Sequence, residues 1–213
     1  MTECLAFCKP SFVPLHFPRR ASPLPIEDRA RDNLRYIRET MERAGSFTAV
    51  PGGGGMAIGI TALGAAVIAS QQASPRAWLA TWILEACVAV FIAGWTMFSK
   101  ARDTGVSLAA GPARRFAYSF APPVFVGALL TMILFRAGIF GLLPGTWLLL
   151  YGTAVVTGGA FSIRVVRLMG LCFMVIGSVA LLCPSSWGNV LLAVGFGGFH
   201  ILFGAVIARK HGG

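Results

Sequence analysis

Residues 187–208 read WGNVLLAVGFGGFHILFGAVIA and contain a single ionisable side chain, that of His200. A helix of about 20 apolar residues is about 30 Å long, which matches the hydrocarbon thickness of a bilayer. The stretch therefore predicts a membrane-spanning helix. Composition agrees, because 56% of the 213 residues are hydrophobic and only 12% are charged, whereas about a quarter of the residues in a soluble domain are charged.

Five more apolar stretches precede this one, and the gaps between the basic residues mark them out. Each is close to the length that one membrane crossing needs. The sequence therefore predicts an all-α, polytopic membrane protein with six transmembrane helices. The predicted spans are 54–72, 78–98, 117–135, 143–161, 165–183 and 187–208.

The basic residues indicate the orientation of these spans. Sixteen of the 18 Lys and Arg residues fall on one side when alternate connections are summed, and only Arg76 and Arg136 fall on the other. Because Lys and Arg accumulate in cytoplasmic loops, both termini are expected in the cytoplasm. The net charge of +10 is interpreted as attraction to anionic inner-leaflet lipid and not to nucleic acid. The predicted membrane-surface residues are Arg114, Arg115, Arg164, Arg167, Arg209 and Lys210.

Three segments precede the first span. Residues 1–26 contain five prolines and predict a flexible tail. Residues 27–45 predict a cytoplasmic amphipathic helix, whose stripe packs on the membrane or the protein's own cytoplasmic face, on a second copy, or on another protein. Residues 46–55 end in four glycines and predict a hinge, since such a run costs much entropy to order. The stripe consists of Ala30, Leu34, Ile37, Met41 and Ala44.

One segment carries a family resemblance. Residues 33–50, NLRYIRETMERAGSFTAV, followed by the glycine run and an apolar span, resemble the opening of uncharacterised bacterial six-helix integral membrane proteins. The resemblance implies a location in the bacterial inner membrane. It carries no activity, cofactor or site residue.

Two ionisable side chains lie inside predicted spans, and a buried charge in a bilayer is costly enough to suggest a function. Glu85 lies about 12 Å and His200 about 20 Å from the outer end of its span, at 1.5 Å per residue. Each sits on a ridge of small residues that should face another helix. We therefore consider three possibilities for them: a Glu85–His200 pair, separate polar clamps between helices, and parts of a proton or substrate pathway.

Other span residues have narrower predicted roles. Tyr151 lies at the predicted depth of Glu85 and is a further candidate for the pathway. Trp78, Trp147 and Trp187 fall at outer span ends, as expected of an aromatic belt, whereas Trp82 and Trp95 lie deeper and are expected to pack inside. The pair Pro122–Pro123 is expected to break, kink or simply curve the third span near its cytoplasmic end, and to free carbonyls that line a cavity or are satisfied by neighbours.

The sequence offers little for catalysis or cofactor binding. Only one histidine lies in a span, so no histidine pair for haem and no histidine-rich metal site is expected, and no cofactor is predicted. No nucleophile motif is present, so an enzyme is the least favoured hypothesis. The leading hypothesis is a transporter-like protein for a small solute or a proton, with Glu85, His200 and Tyr151 along its pathway. The alternative is a noncatalytic scaffold or sensor acting through the N-terminal helix, and under either a homo-oligomer is plausible.

Overall fold

The computed structural model describes residues 28, 30–37, 50–103, 105 and 111–211. These residues are overwhelmingly helical, without β-strands, and include six helices long and apolar enough to cross a membrane. The chain is therefore an all-α, polytopic integral membrane protein, which confirms the predicted fold class.

The chain divides into two compact units, residues 1–41 and 42–213. In the first, residues 28 and 30–37 are helical and exposed. They lie within the predicted amphipathic helix 27–45, whose remaining residues, like the predicted tail 1–26, are outside the described part of the chain.

The second unit contains the six long helices. The fourth follows a 3₁₀ turn, Phe140–Leu142, and the sixth changes helix type along its length. The helices are α1 (Gly52–Ser70), α2 (Pro75–Asp103), α3 (Gly111–Arg136), α4 (Leu143–Gly159), α5 (Arg164–Leu182) and α6 (Ser185–Lys210).

Helix α1 packs between α2 and α6, and helix α4 packs between α3 and α5. Each neighbouring pair is antiparallel: for example, Thr61 of α1 contacts Glu85 of α2, and Gly158 of α4 lies against Phe116 of α3. The turns after α1, α3 and α5 consequently lie at one end of the bundle, here called the distal end. Gly188 of α6 packs against Pro144 of α4 at this end.

Two of these pairs are held by facing glycines. A Cβ added to Gly152 or to Gly170 would stand 2.8 Å from the carbonyl oxygen of the other residue. Such backbone-to-backbone contact needs residues without side chains, and it replaces the hydrophobic effect as a source of helix association in lipid. The facing pairs are Gly52 with Gly204 and Gly59 with Gly197 between α1 and α6, and Gly145 with Gly177 and Gly152 with Gly170 between α4 and α5.

This packing corrects the prediction for the glycine run. Gly52–Gly55 form the first turn of α1 and not a hinge. A Cβ at Gly52 would lie 2.6 Å from the Gly204 carbonyl oxygen, so close packing against α6 outweighs the low helix propensity of glycine. Residues 46–49 of the predicted hinge lie outside the described residues.

The proline pair does not interrupt α3, which continues from Gly111 to Arg136 through Pro122 and Pro123. Proline has no N–H, so Pro123 leaves the carbonyl of Ser119 without its helical donor. The Thr157 hydroxyl of α4 lies 2.8 Å from that carbonyl oxygen, which is nearer than either acceptor on its own helix, and it can donate to it. A neighbouring helix thus satisfies the group that the proline frees.

Candidate functional site

The central polar feature of the bundle is a hydrogen bond between Tyr151 and His200. The Tyr151 hydroxyl lies 2.8 Å from His200 Nε2 and joins α4 to α6. His200 is only 6% exposed, and Tyr151 is partly buried. The sequence singled out both residues, but it matched the depth of Tyr151 to Glu85 and not to His200.

The second imidazole nitrogen makes no hydrogen bond of good geometry. His200 Nδ1 is the only buried side-chain nitrogen or oxygen in the described residues of which this is true, and the backbone carbonyls of Gly195 and Phe196 lie near enough to the ring to interact with it weakly. If Nε2 carried the proton, the Tyr151 hydroxyl would have no acceptor, and Nδ1 would be an unprotonated nitrogen without a hydrogen-bond donor. If Tyr151 donates to Nε2, only the Nδ1–H group is left unpaired, so this tautomer costs less.

Aromatic rings of α3, α5 and α6 surround the pair, and the ring from α3 is that of Phe120, 6.0 Å from the Tyr151 ring. The Phe173 ring of α5, fully buried, lies 4.8 Å from the Tyr151 ring and 5.5 Å from the His200 ring, edge to face in both contacts. The Phe196 ring of α6 stacks on His200 at 6.2 Å. The imidazole therefore lies in an apolar environment in which a missing hydrogen bond is expensive.

A π-helical segment leads directly to His200. Residues Ala193–Phe199 form a π-helix, and the α-helix resumes at His200. Three of its seven residues are glycines, and Gly195 and Gly197 are buried where α6 contacts its neighbours. π-Helices are rare and frequently lie at functional sites, so this irregularity strengthens the candidacy of His200.

Glu85 belongs to a different contact. The Thr61 hydroxyl of α1 lies 2.8 Å from Glu85 Oε1 and 2.9 Å from the carbonyl oxygen of Ile58. A hydroxyl has one proton and can donate to only one acceptor at a time. Glu85 is paired with Thr61, and His200 is paired with Tyr151. No ion pair therefore joins Glu85 to His200, both of which lie in the described part of the chain. Of the possibilities considered, the direct Glu85–His200 pair is therefore wrong.

Asn189, near the distal end of α6, was missed by the sequence reasoning. Its Oδ1 accepts hydrogen bonds from the indole N–H groups of Trp78 at 3.2 Å and Trp82 at 3.1 Å. Its Nδ2 donates to the carbonyl of Ala66 at 2.9 Å. One amide thus ties α6 to α1 and α2. The sequence did contain a signal for this contact. Asn189 is an amide within an apolar span, and Trp78 and Trp82, four residues apart, share one helix face.

The tryptophans differ from the predicted belt. The Trp78 and Trp147 rings stack on each other, with centroids 5.7 Å apart and planes 5° from parallel, and both are partly buried. Trp187 remains exposed, and Trp82 is buried as predicted, but Trp95 is 65% exposed and does not pack inside. Trp78 and Trp147 pack inward because each indole N–H finds a protein partner, Asn189 for Trp78 and Thr131 for Trp147.

The basic residues predicted at the membrane surface all lie at the end opposite the distal end. They start α3 and α5 or end α6, and each is exposed. They are Arg114, Arg115, Arg164, Arg167, Arg209 and Lys210.

The described residues contain no group of three or more His, Cys, Asp and Glu side chains that could hold a metal ion. The polar chemistry inside the bundle is instead that of one imidazole, one phenol, one carboxyl group and one amide. No protein-family model matches the sequence, and neither curated proteins nor solved structures give a significant match.

Proposed function

We propose that this integral membrane protein is a transporter-like protein for a small solute or a proton, with the Tyr151–His200 pair at its centre. The observation that carries the proposal is the buried His200 imidazole, bonded through Nε2 and unpaired at Nδ1. A buried imidazole with one nitrogen outside good hydrogen-bond geometry is costly in a helix contact, and buried groups of this kind often have a functional role.

The chemistry of the pair suits proton or hydrogen-bond exchange. Nδ1 offers one hydrogen-bonding position to a solute or a water molecule, while the Tyr151 hydroxyl holds the other nitrogen. The neighbouring π-helix ends at His200, so a local change of helix register would move the imidazole relative to Tyr151. Binding at Nδ1 is thereby linked to the conformation of α6.

In this proposal Glu85 is a polar link between α1 and α2. Its hydrogen-bond partner is the Thr61 hydroxyl on the adjacent helix, and α1 itself lies between α2 and α6. Replacement of Glu85 by Gln, which keeps the hydrogen bond but removes the ionisable group, tests whether Glu85 also belongs to the pathway.

The proposed location is the bacterial inner membrane, with both termini in the cytoplasm. The 16-to-2 distribution of Lys and Arg supports this orientation. The six exposed basic residues at the proximal end, opposite the distal end, would then face the anionic lipid of the inner leaflet.

The experiment is a flux measurement in liposomes that contain the full-length protein. A pH gradient is imposed, and a trapped pH-sensitive dye reports proton movement, alone and with candidate solutes. Tyr151→Phe removes only the hydroxyl that binds His200, and we expect a loss of flux of about tenfold or more, typical for a group that handles a proton. Tyr118→Phe is the matched control, because Tyr118 is 72% exposed on α3.

Two results would count against the proposal. One is flux that stays at the level of empty liposomes for every solute tested. The other is flux that Tyr151→Phe and Tyr118→Phe affect equally, because the pair would then have no special part in transport.

The alternative function is a noncatalytic scaffold or sensor that acts through the N-terminal helix. The observation that favours it is the exposure of two stripe residues, Leu34 and Ile37, in the described part of that helix. A photo-crosslinker at residue 33, which is exposed beside the stripe, would then capture one discrete protein in cells, and the combined change Leu34→Ser with Ile37→Ser would abolish that adduct. Crosslinks to lipid alone would contradict the scaffold.

A further inference from the structure

A layer of tryptophans covers the distal side of the Tyr151–His200 pair. Trp147 lies one turn distal to Tyr151 on α4, and its ring stacks on Trp78 of α2. Phe196 connects the layer to the pair, because its ring lies 6.3 Å from Trp82 and 5.1 Å from Tyr151. A solute entering from the distal end would therefore meet the Trp78–Trp147 stack before it reached His200.

The hydrogen bonds of this layer do not cross the stack. The Trp78 indole N–H donates to Asn189, on the side of α1, α2 and α6. The Trp147 indole N–H donates to the Thr131 hydroxyl of α3 at 2.7 Å, and Thr131 donates to the Gly127 carbonyl on its own helix. If the two rings separated, each would keep its polar partner, and only the stacking contact would be lost.

The rest of the bundle favours movement at the same place. Facing glycines hold α1 to α6 and α4 to α5 by backbone contact, and such close-packed pairs should move as units. Between the two pairs, the described contacts are made by side chains of the apolar core and include the Tyr151–His200 hydrogen bond, the Phe173–Phe196 contact at 5.4 Å, and Pro144 against Gly188.

We propose that the stacked rings of Trp78 and Trp147 are the distal gate of the pathway, with Asn189 and Thr131 as the residues that position them. This inference rests on the proposed function, because a gate requires a pathway. It adds the residues that control access. It assigns to the partly buried amide of Asn189 the task of holding Trp78 in place whether the rings are stacked or apart.

The gate is tested with a cysteine reporter. Ala193 lies one turn past Asn189 on α6 and packs against the central core, so Ala193→Cys adds one atom behind the stack. The full-length protein, with its five native cysteines changed to serine, is placed in nanodiscs and treated with a water-soluble, membrane-impermeant maleimide.

We expect slow labelling of the reporter in the parent and labelling about tenfold faster when Trp147→Ala removes one ring. A tenfold faster rate corresponds to a loss of about 1.4 kcal/mol from the free energy that favours the stacked, closed rings over the open ones. Trp187→Ala is the matched control, because Trp187 also lies near the distal end but is 56% exposed, and it should leave the rate unchanged. If Trp147→Ala does not fold, Trp78→Phe, which loses the N–H that Asn189 holds, should also raise the labelling rate.

Equal labelling rates in the Trp147→Ala and Trp187→Ala variants would overturn the gate. The flux assay separates this failure from that of the proposed function. Normal flux that depends on Tyr151, combined with labelling insensitive to Trp147, refutes the gate and leaves the transport function. Labelling that rises in Trp147→Ala, combined with no flux in the parent, refutes transport and with it the gating role, although the rings still limit access to residue 193.

Discussion

Replacement of Gly59 by alanine should destabilise the bundle, whereas the same change five residues later in the same helix should not. A Cβ at Gly59 would lie 2.6 Å from the Gly197 carbonyl oxygen and 2.9 Å from the Ile201 backbone nitrogen. A Cβ at Gly64 would meet no atom within 4 Å. Both residues lie within α1, so the pair isolates the contact between helices from helix propensity.

The size of the effect follows from the space available. An ordinary van der Waals contact of a Cβ begins at 3.4 Å, whereas a Cβ at Gly59 would lie at 2.6 Å. The Gly59→Ala variant must therefore separate the α1 and α6 backbones by the difference, about 0.8 Å. Overpacking of this kind costs about 1–3 kcal/mol, and the better helix propensity of alanine returns about 0.5–1 kcal/mol. We expect a net loss of about 1–2 kcal/mol for Gly59→Ala, and a small gain for Gly64→Ala.

The assay is reversible unfolding in mixed micelles with increasing SDS, followed by tryptophan fluorescence. Gly59→Ala should shift the transition to lower SDS, and Gly64→Ala should leave it in place or raise it slightly. If Gly59→Ala proved as stable as Gly64→Ala, the backbone contact between α1 and α6 would be wrong, and so would the close-packed pair on which the gate depends.

The same unfolding assay tests three polar contacts. Thr157→Val should cost about 1–2 kcal/mol, because the Ser119 carbonyl, already without its helical donor, would lose the Thr157 hydroxyl; an unchanged midpoint would contradict this. Asn189→Leu should lower the free energy of unfolding by about 2–4 kcal/mol, since it leaves two indole N–H groups without an acceptor and removes the Nδ2 bond to the Ala66 carbonyl, and a cost below that of Thr157→Val would refute the central position of Asn189. Glu85→Gln should change the free energy of unfolding by less than about 0.5 kcal/mol, because an amide oxygen still accepts from Thr61. Glu85→Leu, which removes the acceptor, should lower it by about 1 kcal/mol. Equal costs for the two variants would show that the hydrogen bond contributes nothing.

The fold was predictable because it depends on a one-dimensional property, the spacing of charged residues along the chain. Gaps between Lys and Arg residues are long enough for a helix to cross the bilayer, and the gap from Arg167 to Arg209 is long enough for two, so that six spans are predicted. Span ends were less predictable. Helix α2, for example, extends to Asp103 and not to residue 98, because beyond the hydrocarbon a helix can continue in the lipid headgroup region.

The site was only partly predictable because contacts between helices are not encoded in depth alone. His200 and Tyr151 were identified as ionisable or polar groups at mid-membrane depth, but depth could not show that α1 separates Glu85 from α6. Asn189 was overlooked because a residue near a span end is assumed to be solvated, whereas here two indoles reach it.

Propensity misled the interpretation of the glycine run for a related reason. Gly52 and Gly55 have low intrinsic helix preference, yet the absence of side chains allows α1 to approach the backbone of Gly204. In lipid this approach contributes more than propensity does, because helix association there depends on close packing.

The central claim, that the Tyr151–His200 pair lies on a pathway and not in a dry core, is tested most directly by water contact at the imidazole. The measurement is solid-state NMR of the protein in bilayers, with ¹⁵N-labelled histidine and with His16 and His211 changed to glutamine, so that only His200 reports. Magnetisation is transferred from water protons to the ring nitrogens. The account predicts transfer to Nδ1 of His200, and an Nε2 shift typical of a nitrogen that accepts a hydrogen bond. A ring that receives no magnetisation from water under any condition, while the backbone amides of the exposed helix ends do, would contradict it.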